Sequence, residues 1–280
     1  MTPQAFQVFA AVLRAGSGLA IGADKQYLLE SRLGPILQRN GLLDLDALAL
    51  RLRGSDAELT RQVVDAMTTN ETFFFRDGKP FTHFREQVLP RLAGTRPAGE
   101  RLRVWSAAAS AGQEAHSLAM IVAESGALLN GRPVEILGTD ISREQITRAR
   151  AALYTQFEVQ RGLPMQSLVR YFRKEGAEWR LAEPIRAMAS FREWNLLGDL
   201  RPLGRFDVVF CRNVLIYFDL PTKRRVLEAI ARQMAPDGVL YLGAAETVLG
   251  VTDAFAAPAP GVYEPRLPAP IRTPVLEIAR

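Results

Sequence analysis

The chain contains 280 residues, of which 48% are hydrophobic and 23% are charged, and its formal net charge is +5. This length allows one large domain or two unequal ones with a buried core. Charge or glycine interrupts every apolar run before the roughly 18 residues that a membrane span requires, and no basic, apolar leader follows Met1-Thr2-Pro3, so we predict a cytoplasmic protein without membrane insertion. Cys211 is the single cysteine, and with only His83 and His116 it cannot form a disulfide or a zinc site, so no metal is predicted.

The positive charge is unevenly distributed along the chain. Residues 1–69 contain seven basic and seven acidic side chains, whereas residues 143–192 contain ten basic and five acidic ones. The excess in the second segment suggests an acidic partner, although a solvated arginine-rich surface explains it equally well. There is no zinc-finger spacing, aromatic RNA-binding signature or basic arm, so we predict no nucleic-acid partner.

Residues 1–69 have the pattern of an all-α N-terminal domain with four helices. The predicted helices begin at the Thr2-Pro3 cap, cover residues 24–40 and 44–53, and begin again at the capping box Ser55-Asp56-Ala57-Glu58. In the second helix three basic residues recur every seven positions and share one face: Lys25, Arg32 and Arg39. This stripe is a candidate substrate-docking surface, and a merely solvated face is an equal alternative.

From residue 101 to residue 264 strands alternate with helices, which predicts an α/β domain with a doubly wound parallel sheet. The predicted strands are 102–105, 134–138, 190–194, 206–210 and 238–242. The alternation stops at about residues 153–186, where segments 171–173 and 178–181 flank a turn and predict an inserted small antiparallel β-subdomain. The proline-rich segment 265–280 is predicted to be an extended or disordered tail.

Candidate ligand-binding residues follow from the rule that an open parallel sheet binds ligands beyond the carboxyl ends of its strands. These positions are the small-residue loop 106–114 with Glu114, the acidic Asp140, Asn195-Leu196 and Cys211-Arg212-Asn213. The loop lacks the G-x-G-x-x-G pattern, which disfavours a nicotinamide dehydrogenase. Asp140 suits a carboxylate that accepts ribose hydroxyls, and capping of the next helix is the competing role.

A second candidate group lies in residues 70–100, which we interpret as a linker and helix that contribute to the ligand site. Here three consecutive aromatic residues, Phe73 to Phe75, are best explained as an interdomain core. Asn70, Thr72 and Arg76 lie beside them in the sequence. Because polar groups next to buried rings need partners, we predict that these three residues face a ligand.

Six segments along the chain are distinctive in combination. They are Asn70-Glu71-Thr72-Phe73-Phe74-Phe75-Arg76-Asp77 with Phe81, Val104-Trp105-Ser106-Ala107-Ala108, Gly138-Thr139-Asp140-Ile141, Tyr171-Phe172, Asn195-Leu196-Leu197 and Cys211-Arg212-Asn213-Val214-Leu215-Ile216-Tyr217-Phe218. In this order they resemble the chemotaxis receptor glutamate O-methyltransferases, the CheR family, and the resemblance extends to about Tyr263. It implies an all-α domain joined to a class I methyltransferase domain with an inserted β-subdomain. It also implies S-adenosylmethionine as cofactor, S-adenosylhomocysteine as product, and glutamates on acidic cytoplasmic receptor helices as substrate.

The resemblance further implies roles for individual residues. The implied cofactor site comprises Asn70, Thr72, Arg76, Glu114, Asp140, Asn195, Leu196, Cys211, Arg212 and Asn213. Arg76 and Tyr217 would hold the substrate carboxylate against the transferred methyl group. Some family members grip a receptor C-terminal pentapeptide with a glycine-rich hairpin loop. Here the turn Lys174-Glu175-Gly176-Ala177-Glu178 is short and poor in glycine, so we predict no such tether.

Two segments depart from the family's usual motifs. Ser110-Ala111-Gly112-Gln113-Glu114-Ala115-His116 replaces Ser-Thr-Gly-Glu-Glu-Pro-Tyr, and Gly243-Ala244-Ala245-Glu246 replaces Gly-His-Ser-Glu. The lost groups leave a non-catalytic, cofactor-binding regulatory protein as an alternative. A nucleic-acid or small-molecule methyltransferase is a second alternative that the basic composition favours, but the amino-methylating signatures are absent. Because Glu114 is retained, we interpret the substitutions as changes in affinity.

Overall fold

The structure, a computed structural model, describes residues 1–54 and 56–266. Its N-terminal part contains the helices α1 (Pro3–Ser17), α2 (Gln26–Arg39), α3 (Leu45–Leu52) and α4 (Ala57–Met67). Their apolar faces meet in a buried cluster that includes Phe9, Leu13, Leu29, Leu33 and Val63. The predicted all-α domain is therefore confirmed, and its helices form because their apolar residues recur on one face.

Two helix starts differ from the sequence-based expectation. The cap of α4 is Asp56, whose Oδ1 accepts a hydrogen bond from the backbone N–H of Leu59 at 3.0 Å, so the helix begins one residue later than the predicted capping box. A 3₁₀ turn (Ala23–Lys25) precedes α2. Lys25 therefore lies outside α2, which the predicted basic stripe did not anticipate.

The rest of the chain alternates between helices and strands. The strands are β1 (Leu102–Ala107), β2 (Val134–Asp140), β3 (Leu153–Thr155), β4 (Phe172–Glu175), β5 (Glu178–Leu181), β6 (Ala189–Glu193), β7 (Phe206–Cys211), β8 (Met234–Leu242), β9 (Phe255–Ala259) and β10 (Val262–Pro265). The helices are α5 (Lys79–His83), α6 (Leu89–Thr95), α7 (Gln113–Glu124), α8 (Gly126–Leu129), α9 (Arg143–Ala151), α10 (Gln156–Gln160), α11 (Met165–Tyr171), α12 (Glu183–Arg186) and α13 (Leu220–Arg232). A π-helical turn (Phe84–Val88) joins α5 to α6.

A seven-stranded sheet has the order β6-β2-β1-β7-β8-β10-β9. The first five strands are parallel, whereas β10 pairs antiparallel with both β8 and β9. Strand order reverses between β1 and β7, the position at which open α/β sheets bind ligands. The predicted parallel sheet is confirmed, and the two antiparallel strands at its edge were not predicted because both are short and contain proline.

The inserted β-subdomain is a separate three-stranded antiparallel sheet with the order β3-β5-β4. Gly176 and Ala177 form the two-residue turn between β4 and β5, and Gly176 has a positive φ of 60°. At the end of the chain, the segment predicted as a tail begins within β10, because Pro265 pairs with Phe255 and the Arg266 N–H donates to the Ala254 carbonyl at 2.8 Å. The remaining tail residues, 267–280, lie outside the described residues.

The N-terminal domain contacts the carboxyl edge of the large sheet through the end of α1 and the segment that follows it. The Ala20 N–H donates to the Tyr217 carbonyl at 2.9 Å, and Leu19 forms a β-bridge with Phe218. Asn195 donates through Nδ2 to the Gly16 carbonyl at 2.6 Å. Within residues 1–54 and 56–266 no helix combines the length and apolar character needed to cross a membrane.

Candidate functional site

A cavity lies at the carboxyl ends of the parallel strands, where the N-terminal helices meet the sheet. Ten predicted site residues line it: Asn70, Thr72, Arg76, Glu114, Asp140, Asn195, Leu196, Arg212, Asn213 and Tyr217. The cavity also has a wall that sequence reasoning missed, formed by Ser17, Leu19, Met67, Thr68 and Thr69 of the N-terminal domain. No motif marked these residues, because only the packing of the two domains brings them to the sheet.

Cys211 does not line the cavity, which corrects its predicted role. It is the last residue of β7, and its completely buried side chain belongs to a cluster with Val226, Leu227 and Ile230 of α13. Side chains alternate along a strand, so Cys211 points to this face whereas Phe210 points to the other. Burial raises the pKa of the Cys211 thiol well above its usual value, and the nearby carboxylates of Glu246 and Glu114 add to the shift.

The loop after β1 wraps tightly around Asp140. Ala108, Ser110 and Gly112 all have positive φ angles, of 59°, 50° and 90°. Asp140 accepts hydrogen bonds from the backbone N–H of Ser110 at 2.8 Å and of Ser142 at 2.9 Å. Burial raises the pKa of Asp140, and these backbone donors oppose that rise. The cap of α9 is Ser142 rather than Asp140, so the competing capping role for Asp140 is not observed.

Arg212 is the centre of a buried ionic network beside this loop. Its side chain is 1% exposed, and Nη1 donates to Oε2 of Glu114 at 3.0 Å. Nη2 donates to Oδ2 of Asp77 at 2.6 Å and to the Arg76 carbonyl at 2.8 Å. The other carboxylate oxygen of Glu114 accepts from the Ser106 hydroxyl at 2.8 Å. This network joins the segment that carries Arg76 to the floor of the cavity.

The segment that carries Arg76 makes a tight turn. Phe75 and Asp77 adopt left-handed φ angles of 50° and 65°, a conformation that is unfavourable for a bulky side chain such as Phe75. The turn is held by the Phe75 N–H, which donates to the Ser117 hydroxyl at 3.0 Å, and by the Arg212–Asp77 ion pair. Arg76 itself is half-buried and donates through Nη1 to the Glu71 carbonyl at 2.8 Å.

Two of the three phenylalanines that precede Arg76, Phe73 and Phe74, have different environments. Phe74 is fully buried and packs against Tyr154 and Phe172 of the inserted β-subdomain, so it belongs to the core of the α/β domain and not to the predicted interdomain core. Phe73 instead lies under two cations, with the guanidinium carbon of Arg76 at 5.4 Å and that of Arg161 at 4.5 Å from its ring centre. Its ring therefore supports the Arg76 side chain through cation–π contact.

The predicted basic stripe on α2 is only partly available to a partner. Arg32 is half-buried and donates through Nη1 to the carbonyls of Met67 and Thr68, at 2.9 and 3.1 Å. It therefore binds the cavity wall at the end of α4, and its docking role stays a prediction. Lys25 and Arg39 are exposed.

His116 lies in the first turn of α7 and is completely buried. Its Nδ1 is 2.7 Å from the Tyr154 hydroxyl, which in turn donates to the Ala111 carbonyl at 2.9 Å. The hydroxyl therefore accepts from Nδ1–H. Burial lowers the pKa of His116 to about 3, so the imidazole is neutral at pH 7.

We expect this buried imidazole to destabilise the protein in mild acid. The unfolded chain binds a proton at His116 with a pKa of about 6.5, whereas the folded value is about 3, so acidification through this window favours the unfolded state. Between pH 7 and pH 5 His116 should lower the free energy of unfolding by about 2 kcal/mol. Urea unfolding of the wild type and His116→Gln at both pH values measures this, and equal losses in the two proteins would contradict it.

Comparisons with known proteins identify two domains in the chain. The all-α domain of CheR methyltransferases matches residues 4–68, and the S-adenosylmethionine-binding domain of CheR methyltransferases matches residues 70–259. Chemotaxis protein methyltransferase 1 of Pseudomonas aeruginosa is 41% identical over 256 residues, which cover 89% of this chain and 92% of that protein. Chemotaxis protein methyltransferase Cher2 of Pseudomonas putida is 40% identical over 89% of this chain and 92% of its own length. The chemotaxis protein methyltransferase of Vibrio anguillarum is 38% identical, with corresponding shares of 91% and 93%.

Proposed function

The chain belongs to the CheR methyltransferase family, and from this membership we propose that it methylates glutamate side chains of chemotaxis receptors with S-adenosylmethionine. The observation that carries the proposal is that the two matched domains enclose one cavity, at the sheet edge where such a cofactor binds. The products would be glutamyl methyl esters and S-adenosylhomocysteine. No observation favours the non-catalytic alternative, since Glu114, Asp140 and Arg76 all remain at the cavity.

The side chains around the cavity suit the chemistry of S-adenosylmethionine. Glu114 presents a carboxylate to the cofactor's ammonium group, and Asp140 presents one to its ribose hydroxyls. The guanidinium of Arg76 suits a carboxylate, either the cofactor's or the substrate's. For the adenine ring the cavity offers amide groups and apolar contacts, from Asn70, Asn195, Leu196, Asn213 and Val214. These assignments of individual residues are part of the proposal.

The proposed reaction requires positioning more than acid–base chemistry. A glutamate carboxylate has a reference pKa of about 4.3 and is already a nucleophile at neutral pH, so no general base is needed. Bound S-adenosylmethionine supplies an electrophilic methyl group. Arg76 and Tyr217 would orient the substrate carboxylate, with Tyr217 donating one hydrogen bond from its hydroxyl. Holding the carboxylate in a fixed position from which water is excluded can lower the activation barrier of methyl transfer by several kcal/mol.

The test is transfer of radiolabelled methyl from S-adenosylmethionine to a purified receptor cytoplasmic fragment, followed by mild base. Esters release volatile methanol, whereas N-methyl products do not. A fragment whose methyl-accepting glutamates are replaced by alanine is the matched control. Volatile label only from the intact fragment supports the proposal. Absence of label despite S-adenosylhomocysteine binding would contradict it and favour the regulatory alternative or another substrate.

The proposed partner is an acidic helix on the cytoplasmic side of a receptor, which places the reaction in the cytoplasm. Two basic surfaces support it by charge complementarity. One comprises the exposed side chains of Lys25 and Arg39 at opposite ends of α2, and the other, on the inserted β-subdomain, includes the exposed residues Arg170, Arg173 and Lys174. We expect receptor affinity to fall with increasing salt, since exposed charges are screened.

We also expect no tight binding of a receptor C-terminal pentapeptide. The β4–β5 connection is a two-residue turn at Gly176-Ala177, which leaves no loop to enclose a peptide strand. Calorimetric titration should give no saturable heat up to millimolar peptide, that is, a binding free energy weaker than about −4 kcal/mol. A pentapeptide-binding relative serves as the positive control, and micromolar binding to this chain would refute the expectation.

A further inference from the structure

We propose that Glu246 is a positioning residue for methyl transfer, because its carboxylate holds the turn that brings Asn213 and Tyr217 to the cavity. This role rests on the proposed function. Glu246 does not line the cavity itself, so it would act through the two residues that do. Its position in the sequence, 30 residues beyond this turn, gave no indication of the contact.

Both carboxylate oxygens of Glu246 accept backbone hydrogen bonds. Oε2 accepts from Gly243 at 2.7 Å and from Asn213 at 2.8 Å. Oε1 accepts from Val214 at 2.9 Å and from Ile216 at 3.2 Å. The residue is buried, with 8% of its surface exposed. Charge-assisted hydrogen bonds in a buried setting are stronger than neutral ones, so this carboxylate fixes the backbone that carries the donors.

The held turn is defined by its hydrogen bonds and not by strain at Asn213. Asn213 has a left-handed φ of 60°, which asparagine adopts more readily than most other residues. The Tyr217 N–H donates to the Val214 carbonyl at 3.2 Å and closes the turn. Asn213 and Tyr217 both reach the cavity from this short segment. A change in the backbone at residues 213–216 would therefore move both side chains.

The two ends of the turn are held by different parts of the protein. At its far end, Tyr217 accepts from the Ala20 N–H at 2.9 Å, and Phe218 pairs with Leu19 of the N-terminal domain. At its near end, the side-chain hydrogen bonds to the backbone N–H groups of residues 213–216 come, among the described residues, from Glu246 alone. Loss of the carboxylate would remove these hydrogen bonds, whereas the Tyr217 carbonyl would keep its bond from Ala20.

Gly243 shows how closely the carboxylate and the turn are packed. A Cβ atom added at this position would lie 2.7 Å from Oε2 of Glu246 and 2.8 Å from Nδ2 of Asn213. Both distances are shorter than a side-chain carbon tolerates, so Gly243→Ala must displace the carboxylate or Asn213. This substitution therefore disturbs the same contact while glutamate is retained.

The experiment compares Glu246→Gln with Glu264→Gln, an exposed glutamate on β10 that makes no side-chain hydrogen bond among the described residues. Glutamine keeps the size of Glu246 but replaces one acceptor oxygen with an amide donor that faces backbone N–H groups. We expect Glu246→Gln to weaken S-adenosylhomocysteine binding about 10-fold and to lower kcat about 30-fold, within the range found when a positioning interaction is lost. Glu264→Gln should match the wild type in both measurements.

Double-mutant cycles separate positioning from a general structural role. In an Asn213→Ala background, Glu246→Gln should change the affinity for S-adenosylhomocysteine less than about twofold. In a Tyr217→Phe background, Glu246→Gln should likewise change kcat less than about twofold. Full, independent effects in both backgrounds would overturn the proposal, as would normal affinity and kcat in Glu246→Gln. If Glu246→Gln does not fold, Gly243→Ala should show the same pattern. If the wild type fails to methylate receptors, that result contradicts the proposed function only. The affinity for S-adenosylhomocysteine still tests the role of Glu246 in that case.

Discussion

Replacing Arg76 with alanine is expected to lower kcat for receptor methylation about 100-fold, because the substrate carboxylate then loses the group that orients it. Arg76 lines the cavity, and only one hydrogen bond, from Nη1 to the Glu71 carbonyl, engages its guanidinium within the described residues. Its other N–H groups are therefore the donors available to a ligand. Steady-state kinetics with a receptor fragment, combined with calorimetry of S-adenosylhomocysteine, separates substrate orientation from cofactor binding.

Two further variants test whether the effect depends on the guanidinium of Arg76. Arg76→Lys keeps the charge but loses the planar fork, so we expect an intermediate loss of about 10-fold. Arg161→Ala is the matched control, because Arg161 also contacts the Phe73 ring and Glu71 but does not line the cavity. Its kcat should stay within about threefold of the wild type, as expected for a partly exposed ion pair. Full turnover with normal cofactor affinity in both Arg76 variants would show that Arg76 has no orienting role.

Replacing Arg212 with alanine is expected to lower the free energy of unfolding by about 3–5 kcal/mol, because it leaves buried carboxylate charge without its partner. The side chain of Glu114 is only 12% exposed, so its charge would be poorly solvated without the guanidinium. Asp77 would also lose its ion pair, and the strained turn at Phe75 and Asp77 would lose one of its supports. Cofactor affinity should fall together with stability.

Urea unfolding monitored by circular dichroism measures the loss in Arg212→Ala. Arg201→Ala is the control, since Arg201 pairs with Asp199 on the exposed surface and its removal should leave the unfolding midpoint unchanged. In Arg212→Met combined with Glu114→Gln, part of the stability should return, because no buried charge remains unpaired. A wild-type midpoint for Arg212→Ala would show that the buried network does not stabilise the fold.

The sequence predicted those parts of the site that depend on local pattern and on strand direction. Glu114, Asp140 and Asn213 could be placed at the cavity because the carboxyl ends of parallel strands meet at one edge. The same rule failed for Cys211, because it locates the end of a strand but not the face to which the last side chain points. That face is set by the register of β7 in the sheet and by the position of α13.

The sequence by itself determined the class of fold, the helical N-terminal domain and the chemistry available at the strand ends, because hydrophobic period and residue type are properties of short segments. Only the tertiary structure decided that residues of α1 and α4 complete the cavity, that Arg32 binds the end of α4, and that Glu246 holds the turn at Asn213. The physical reason is that each of these contacts joins residues at least 30 positions apart in the chain. A local pattern carries no information about such pairs until packing brings them together.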